Sequence, residues 1–225
     1  MEVSQRLDTG LGALDEAWPL DPGVRMLNHG SFGACPRCVL QRQAELRQQM
    51  EAEPVRFLVR QMPPLMDESR RALANVIGAE VEDLVFVSNA TAGVNAVVRS
   101  LRFRPGDELL VTNHGYNACN NVVRYVAARE EARVVVAEVP IPIESPDQVI
   151  QTVLAKVTDR TRLAVLDHVT SPTAVVFPVE GLVDPLSRRG VDTLVDGAHA
   201  PGMVHLGVKR LGAAFDVVNA HKWHG

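Results

Sequence analysis

The chain has 225 residues, of which 46% are hydrophobic, 4% aromatic and 22% charged, with a mean hydropathy of +0.02. That apolar content supports a sizeable core and excludes a disordered or fibrous chain. A formal net charge of −4, with no long block of one sign, argues against nucleic acid or an anionic membrane as the main partner.

The first residues, MEVSQRLDTG, lack a basic stretch followed by an apolar one, and nothing reaches the roughly 18 apolar residues of a membrane span. A cytoplasmic protein is the expectation. Residues 1–35 carry Pro19, Pro22, Gly23, Gly30 and Gly33 and read as an irregular N-terminal arm, with 36–225 forming the main domain. Cys35 and Cys38 have C-x-x-C spacing, but no second Cys/His pair lies nearby, which favours ordinary thiols at a helix entrance over a metal or redox site. No metal site is expected.

A helix is expected after Pro36, with Val39, Leu40, Leu46 and Met50 on one face, and a second after Pro63-Pro64, ending at Gly78. Short apolar runs then alternate with helix-length segments. The expected strands are Leu84–Val87, Glu108–Thr112, Arg133–Val139, Arg162–Asp167, Thr193–Asp196 and Phe215–Asn219, with helices near 91–101, 117–129, 146–156 and 180–189. Val134-Val135-Val136 and Leu163-Ala164-Val165-Leu166 do not alternate, so both faces of their sheet should be covered. This pattern defines an α/β fold with a mostly parallel sheet flanked by helices.

Ligands of such sheets sit beyond the carboxyl ends of the strands. After the first run, Ser88-Asn89-Ala90-Thr91 leads straight into a helix, where unpaired amides favour a phosphate; a plain helix cap is the competing reading. His114 and Tyr116 follow the second run, and either ring can stack on a flat ligand. The fourth leads into His168-Val169-Thr170-Ser171. Asp196, closing an apolar strand, needs a donor or cation if buried, and capping the next turn would also satisfy it. Lys222 follows the last run between His221 and Trp223; it reads either as a desolvated amine suited to Schiff-base chemistry or as a solvated lysine.

Four segments occur in order: Leu27-Asn28-His29-Gly30-Ser31-Phe32-Gly33, Asn89-Ala90-Thr91-Ala92-Gly93-Val94-Asn95, Asp196-Gly197-Ala198-His199 and His221-Lys222-Trp223, with 26 residues separating Asp196 from Lys222. Together they resemble the class V aminotransferase superfamily of fold-type I pyridoxal-phosphate enzymes, in its isopenicillin N epimerase-like branch. The resemblance implies that Lys222 forms the internal aldimine and moves protons at the substrate α-carbon. It implies that Asp196 pairs with the pyridine nitrogen, so that the ring serves as an electron sink. Ala90 and Thr91 would hold the phosphate with help from His221. Tyr116 would stack on the ring, with His114 as its rival, and His199 and Ser171 would lie near the phenolic oxygen. Asn28 and His29 would approach the substrate.

The implied activity is that of an enzyme acting on an amino acid through an external aldimine and α-carbanion, of epimerase, lyase or aminotransferase type, working as a homodimer. Asn219 stands where many members of the wider class carry a phosphate-binding Ser or Thr, a departure that puts this contact in doubt. Family members continue well past the lysine into a small C-terminal domain bearing a substrate-carboxylate arginine. That domain is missing here, and Arg56 and Arg60 are the available candidates for the arginine role. A truncated large domain is therefore expected, with a non-catalytic remnant that binds cofactor weakly or dimerises as the alternative function. Neither Cys35, Cys38 nor Cys119 suggests the mobile cysteine of a desulfurase.

Overall fold

The computed structural model describes residues 17–222, which fall into two compact units, 69–219 and a second comprising the described residues up to 68 together with 220–222. In the larger unit, five strands form one sheet: β1 (Glu108–Thr112), β2 (Arg133–Ala137), β3 (Thr161–Asp167), β4 (Asp192–Gly197) and β5 (Phe215–Val218). Their order is β2-β1-β3-β4-β5 and every pairing is parallel. Parallel neighbours need crossovers long enough to hold a helix, which is why helix-length segments separate the first four strands.

The smaller unit contains helix α1 (Arg37–Ala52), followed by a helical turn (Pro54–Arg56) and a π-helical stretch (Phe57–Gln61). Helix α2 (Met62–Ile77) continues directly from the π-helical stretch and carries Pro63 and Pro64 in its first turn. In the larger unit α3 (Ala90–Ser100), α4 (Asn117–Arg129), α5 (Pro146–Leu154), α6 (Glu180–Ser187) and α7 (Val208–Leu211) complete the set. Residues of α3 and α4 pack on one face of the sheet, with Leu109, Val111, Leu163, Val165, Leu194 and Val217. Those of α5 and α6 pack on the other, with Leu110, Ala137, Ala164 and Leu166. Both faces are thus covered, as the non-alternating strands require.

The expected Leu84–Val87 strand does not form. Those residues have no regular structure, and Val85 is 73% exposed. A strand exists only through a ladder partner, and among the described residues none pairs with this segment. Beside β4, β5 lies at the edge of the sheet.

Candidate active site

Six expected site residues lie in the larger unit: Ala90 and Thr91 at the start of α3, Tyr116 just before α4, Ser171 after β3, Asp196 near the end of β4 and His199 after it. Asp167 and Asp196 end β3 and β4, and the register pairs them directly. Paired residues of parallel strands point to the same face. Here it is the face carrying Leu163, Val165 and Leu194, covered by α3 and α4. Both acids are buried, each 3% exposed.

Buried carboxyl groups require donors. Asp196 Oδ2 accepts from the Cys119 thiol at 3.1 Å, and Oδ1 accepts the Ala198 amide at 3.2 Å. The Cys119–Asp196 bond thus joins α4 to β4. Burial and the neighbouring Asp196 push the Cys119 pKa far up, keeping the thiol protonated as a donor. Asp167 accepts the backbone amide of Tyr116 at 3.0 Å to Oδ2. Burial first, and then the charge of Asp196, raises its pKa to about 8.

The start of α3 is held at two points. Asn89 caps it by accepting the Ala92 amide at 2.8 Å, which places the plain cap on Asn89. Asn219, beyond β5, accepts the Ala90 amide at 2.7 Å through Oδ1 and is itself buried. The side chain that broke the expected Ser/Thr pattern thus anchors the helix end by taking one of its first-turn amides.

Tyr116 precedes α4 with its side chain open, 42% exposed. His114, its rival for stacking, is not available for that role. It is buried, with Nε2 donating to the Val139 carbonyl at 3.0 Å, Nδ1 bonded to the Thr173 hydroxyl at 2.8 Å and its ring tilted against Phe177. His199 and Ser171 are half-buried in the segments that follow β4 and β3.

The remaining expected residues lie in the smaller unit. Asn28 turns back on its own segment, accepting the Ser31 amide at 3.2 Å, and His29 Nδ1 accepts the Ala34 amide at 3.3 Å. Gly33 lies against the backbone of His221 and Lys222: a Cβ there would strike both carbonyl oxygens, that of His221 at 2.6 Å. Lys222 is half-buried in a turn, next to the exposed His221; Trp223 lies outside the described residues. Cys35 and Cys38 are free thiols, and among the described residues no cluster suits a metal ion.

Sequence reasoning singled out Asp196 because it closes an apolar strand. Asp167 carries that same signal at the end of Leu163–Asp167 and was passed over. Cys119 offered no signal beyond its helical position.

The chain belongs to aminotransferase class V: the family's model matches residues 33–225. Isopenicillin N epimerase of Amycolatopsis lactamdurans is 39% identical over 207 residues, which are 91% of this chain and 52% of that protein. The probable chloroplastic L-cysteine desulfhydrase of Arabidopsis thaliana is 34% identical over 218 residues, covering 90% of this chain and 46% of that protein. The chain spans about half the length of the curated relatives it matches.

The fold is shared with the cystine C–S lyase C-DES, solved with its product cysteine persulfide, at a TM-score of 0.82 and 24% identity, over 95% of this chain and 55% of that one. A C-DES mutant with glycine covalently linked to its PLP cofactor gives a TM-score of 0.80 at 22% identity, over 95% and 54% of the two chains. Pyridoxal 5′-phosphate is therefore the cofactor against which the site is read.

Proposed function

We propose that this chain carries the cofactor-binding part of a pyridoxal-phosphate enzyme that acts at the α-carbon of an amino acid. The observation that supports the reading most directly is Asp196: a buried carboxylate at the carboxyl edge of a parallel sheet, with a donor on each oxygen, on the sheet face that α3 and α4 cover. The donor set suits the cofactor. A carboxylate matches a protonated ring nitrogen, a helix start favours a phosphate, and an open aromatic ring offers a stacking face.

When bound, the cofactor supplies an electron sink for charge developing at the substrate α-carbon. Asp196 keeps the ring nitrogen protonated. Thr91, with His221, would orient the phosphate, whereas the Ala90 amide expected to share that task is engaged by Asn219, and Tyr116 would offer its ring for stacking. His199 and Ser171 would serve the phenolic oxygen, and Asn28 and His29 the substrate. Lys222 would hold the cofactor through its amine and move the proton at the substrate α-carbon.

The relatives' names span racemising and carbon–sulfur-cleaving chemistry, and similarity to the epimerases, at 35–39% identity, favours proton removal and return over transamination. A homodimer is part of this reading, as closed two-fold assemblies commonly complete such sites. Incubation with pyridoxal phosphate, borohydride reduction and peptide mapping tests it. Label on the Lys222 peptide is expected, and label distributed over surface lysines defeats the reading. An amino-acid-induced change in cofactor absorbance then separates an enzyme from a remnant that only holds cofactor.

A further inference from the structure

Asp167 has no role in the reading above. Its carboxyl accepts the amide of Tyr116, just before α4, at 3.0 Å. It also sits in register beside Asp196 on the same sheet face. One buried group thus holds the turn that carries the proposed stacking residue and adjoins the proposed partner of the ring nitrogen.

Two adjacent buried acids do not both ionise readily. The groups that face Asp167 are Asp196 from β4 and Cys119 from α4, with His168 next in its own chain. Burial keeps the Cys119 thiol protonated and lowers the pKa of His168, so neither supplies a compensating cation at neutral pH. The negative charge of the pair therefore belongs on one acid. Asp196, with the thiol and the Ala198 amide as donors, is the better placed to carry it where a protonated ring nitrogen would need it.

We infer that Asp167 is a positioning residue of the cofactor site, a buried acid that fixes the Tyr116 turn through its amide and leaves the charge of the carboxyl pair on Asp196. This rests on the proposed cofactor reading for its purpose, but its geometry and protonation are testable without cofactor.

The test uses the whole chain. In cofactor-free protein with ¹³C-labelled aspartate carboxyls, the signal missing from the Asp167→Asn variant is expected to titrate several pH units above free aspartate. Hydrogen exchange at Tyr116 is expected to rise roughly tenfold or more in Asp167→Ala and to stay near wild type in Asp167→Asn, which keeps the acceptor and carries no charge. After addition of pyridoxal phosphate, Asp167→Ala should release it faster, while Asp167→Asn should match wild type at neutral pH.

An Asp167 that titrates like free aspartate overturns the inference, as does unchanged exchange in Asp167→Ala or an asparagine variant that exchanges like alanine. Should Asp167→Ala fail to fold, the wild-type titration and the asparagine variant still decide. Failure of every variant to take up cofactor counts against the proposed function alone, because the cofactor-free measurements stand apart from it.

Discussion

The thiol of Cys119 donates to Asp196 at 3.1 Å, which makes a cysteine the direct support of the carboxylate at the carboxyl edge of β4. The consequence for reactivity is specific. Burial, Asp196 and Asp167 all raise its pKa, so little thiolate forms at neutral pH. Of the three thiols, Cys35 and Cys38 are expected to react with a thiol reagent in the native protein, and Cys119 only after unfolding. Rapid native modification of all three would contradict this.

Replacing the same residue tests its structural weight. Cys119→Ala removes a donor from a buried acid and opens a small void. Destabilisation of about 1–3 kcal/mol is expected in urea unfolding. Cys119→Ser, which keeps a donor, should lose less than the alanine variant.

Asn219→Ala should loosen the start of α3. The buried Ala90 amide loses its acceptor at 2.7 Å, and an unsatisfied buried donor costs about 1–3 kcal/mol. The measurable signs are a lower urea midpoint and faster hydrogen exchange at Ala90, with Asn219→Asp restoring the acceptor.

Asp167 and Asp216 give the fold a definite pH dependence. Burial and the charge of Asp196 raise each to about 8, and among the described residues Asp216 Oδ1 is buried without a hydrogen-bond partner. In the unfolded chain both ionise near ~4. Between these values the folded state holds more protons, so their contribution is full below about pH 4, falls as pH rises through 8 and is flat above. The slope reaches about 1.4 kcal/mol per pH unit for each acid. Asp216→Asn should therefore gain on the wild type steadily from pH 5 to 8 in urea unfolding, and a constant difference would refute the assignment.

Gly33→Ala should disturb the lysine turn from within the smaller unit. An added Cβ meets the carbonyl oxygens of His221 and Lys222, both backbone atoms with little room to yield. Borohydride trapping of cofactor on Lys222 is expected to fall severalfold, with far-ultraviolet circular dichroism unchanged. Undiminished trapping would show that the turn absorbs the methyl group freely.

How much of this was legible in the residues follows from what each feature depends on. Glu108–Thr112 and Asn117–Arg129 were read with their observed ends because continuous apolarity and helical spacing are local properties. Leu84–Val87 has the same local signature, but a strand also needs a neighbour, and pairing is not written in a single run. His114 looked like a candidate ring because its partners, Thr173 and Val139, are 59 and 25 residues away. Asp196 stood out by its position, and Asp167 should have stood beside it, since only the register reveals that the two acids are neighbours. The support from Cys119, 77 residues from Asp196, depends on tertiary packing alone.

Among the described residues β5 pairs on one side only, and the run Val85-Phe86-Val87 is open, which gives this polypeptide a practical character. An edge strand invites an extended peptide to add itself, and exposed valine and phenylalanine reward the encounter. Light scattering should therefore climb with protein concentration well before heat unfolds the chain, and what co-purifies with it should be rich in β-structure.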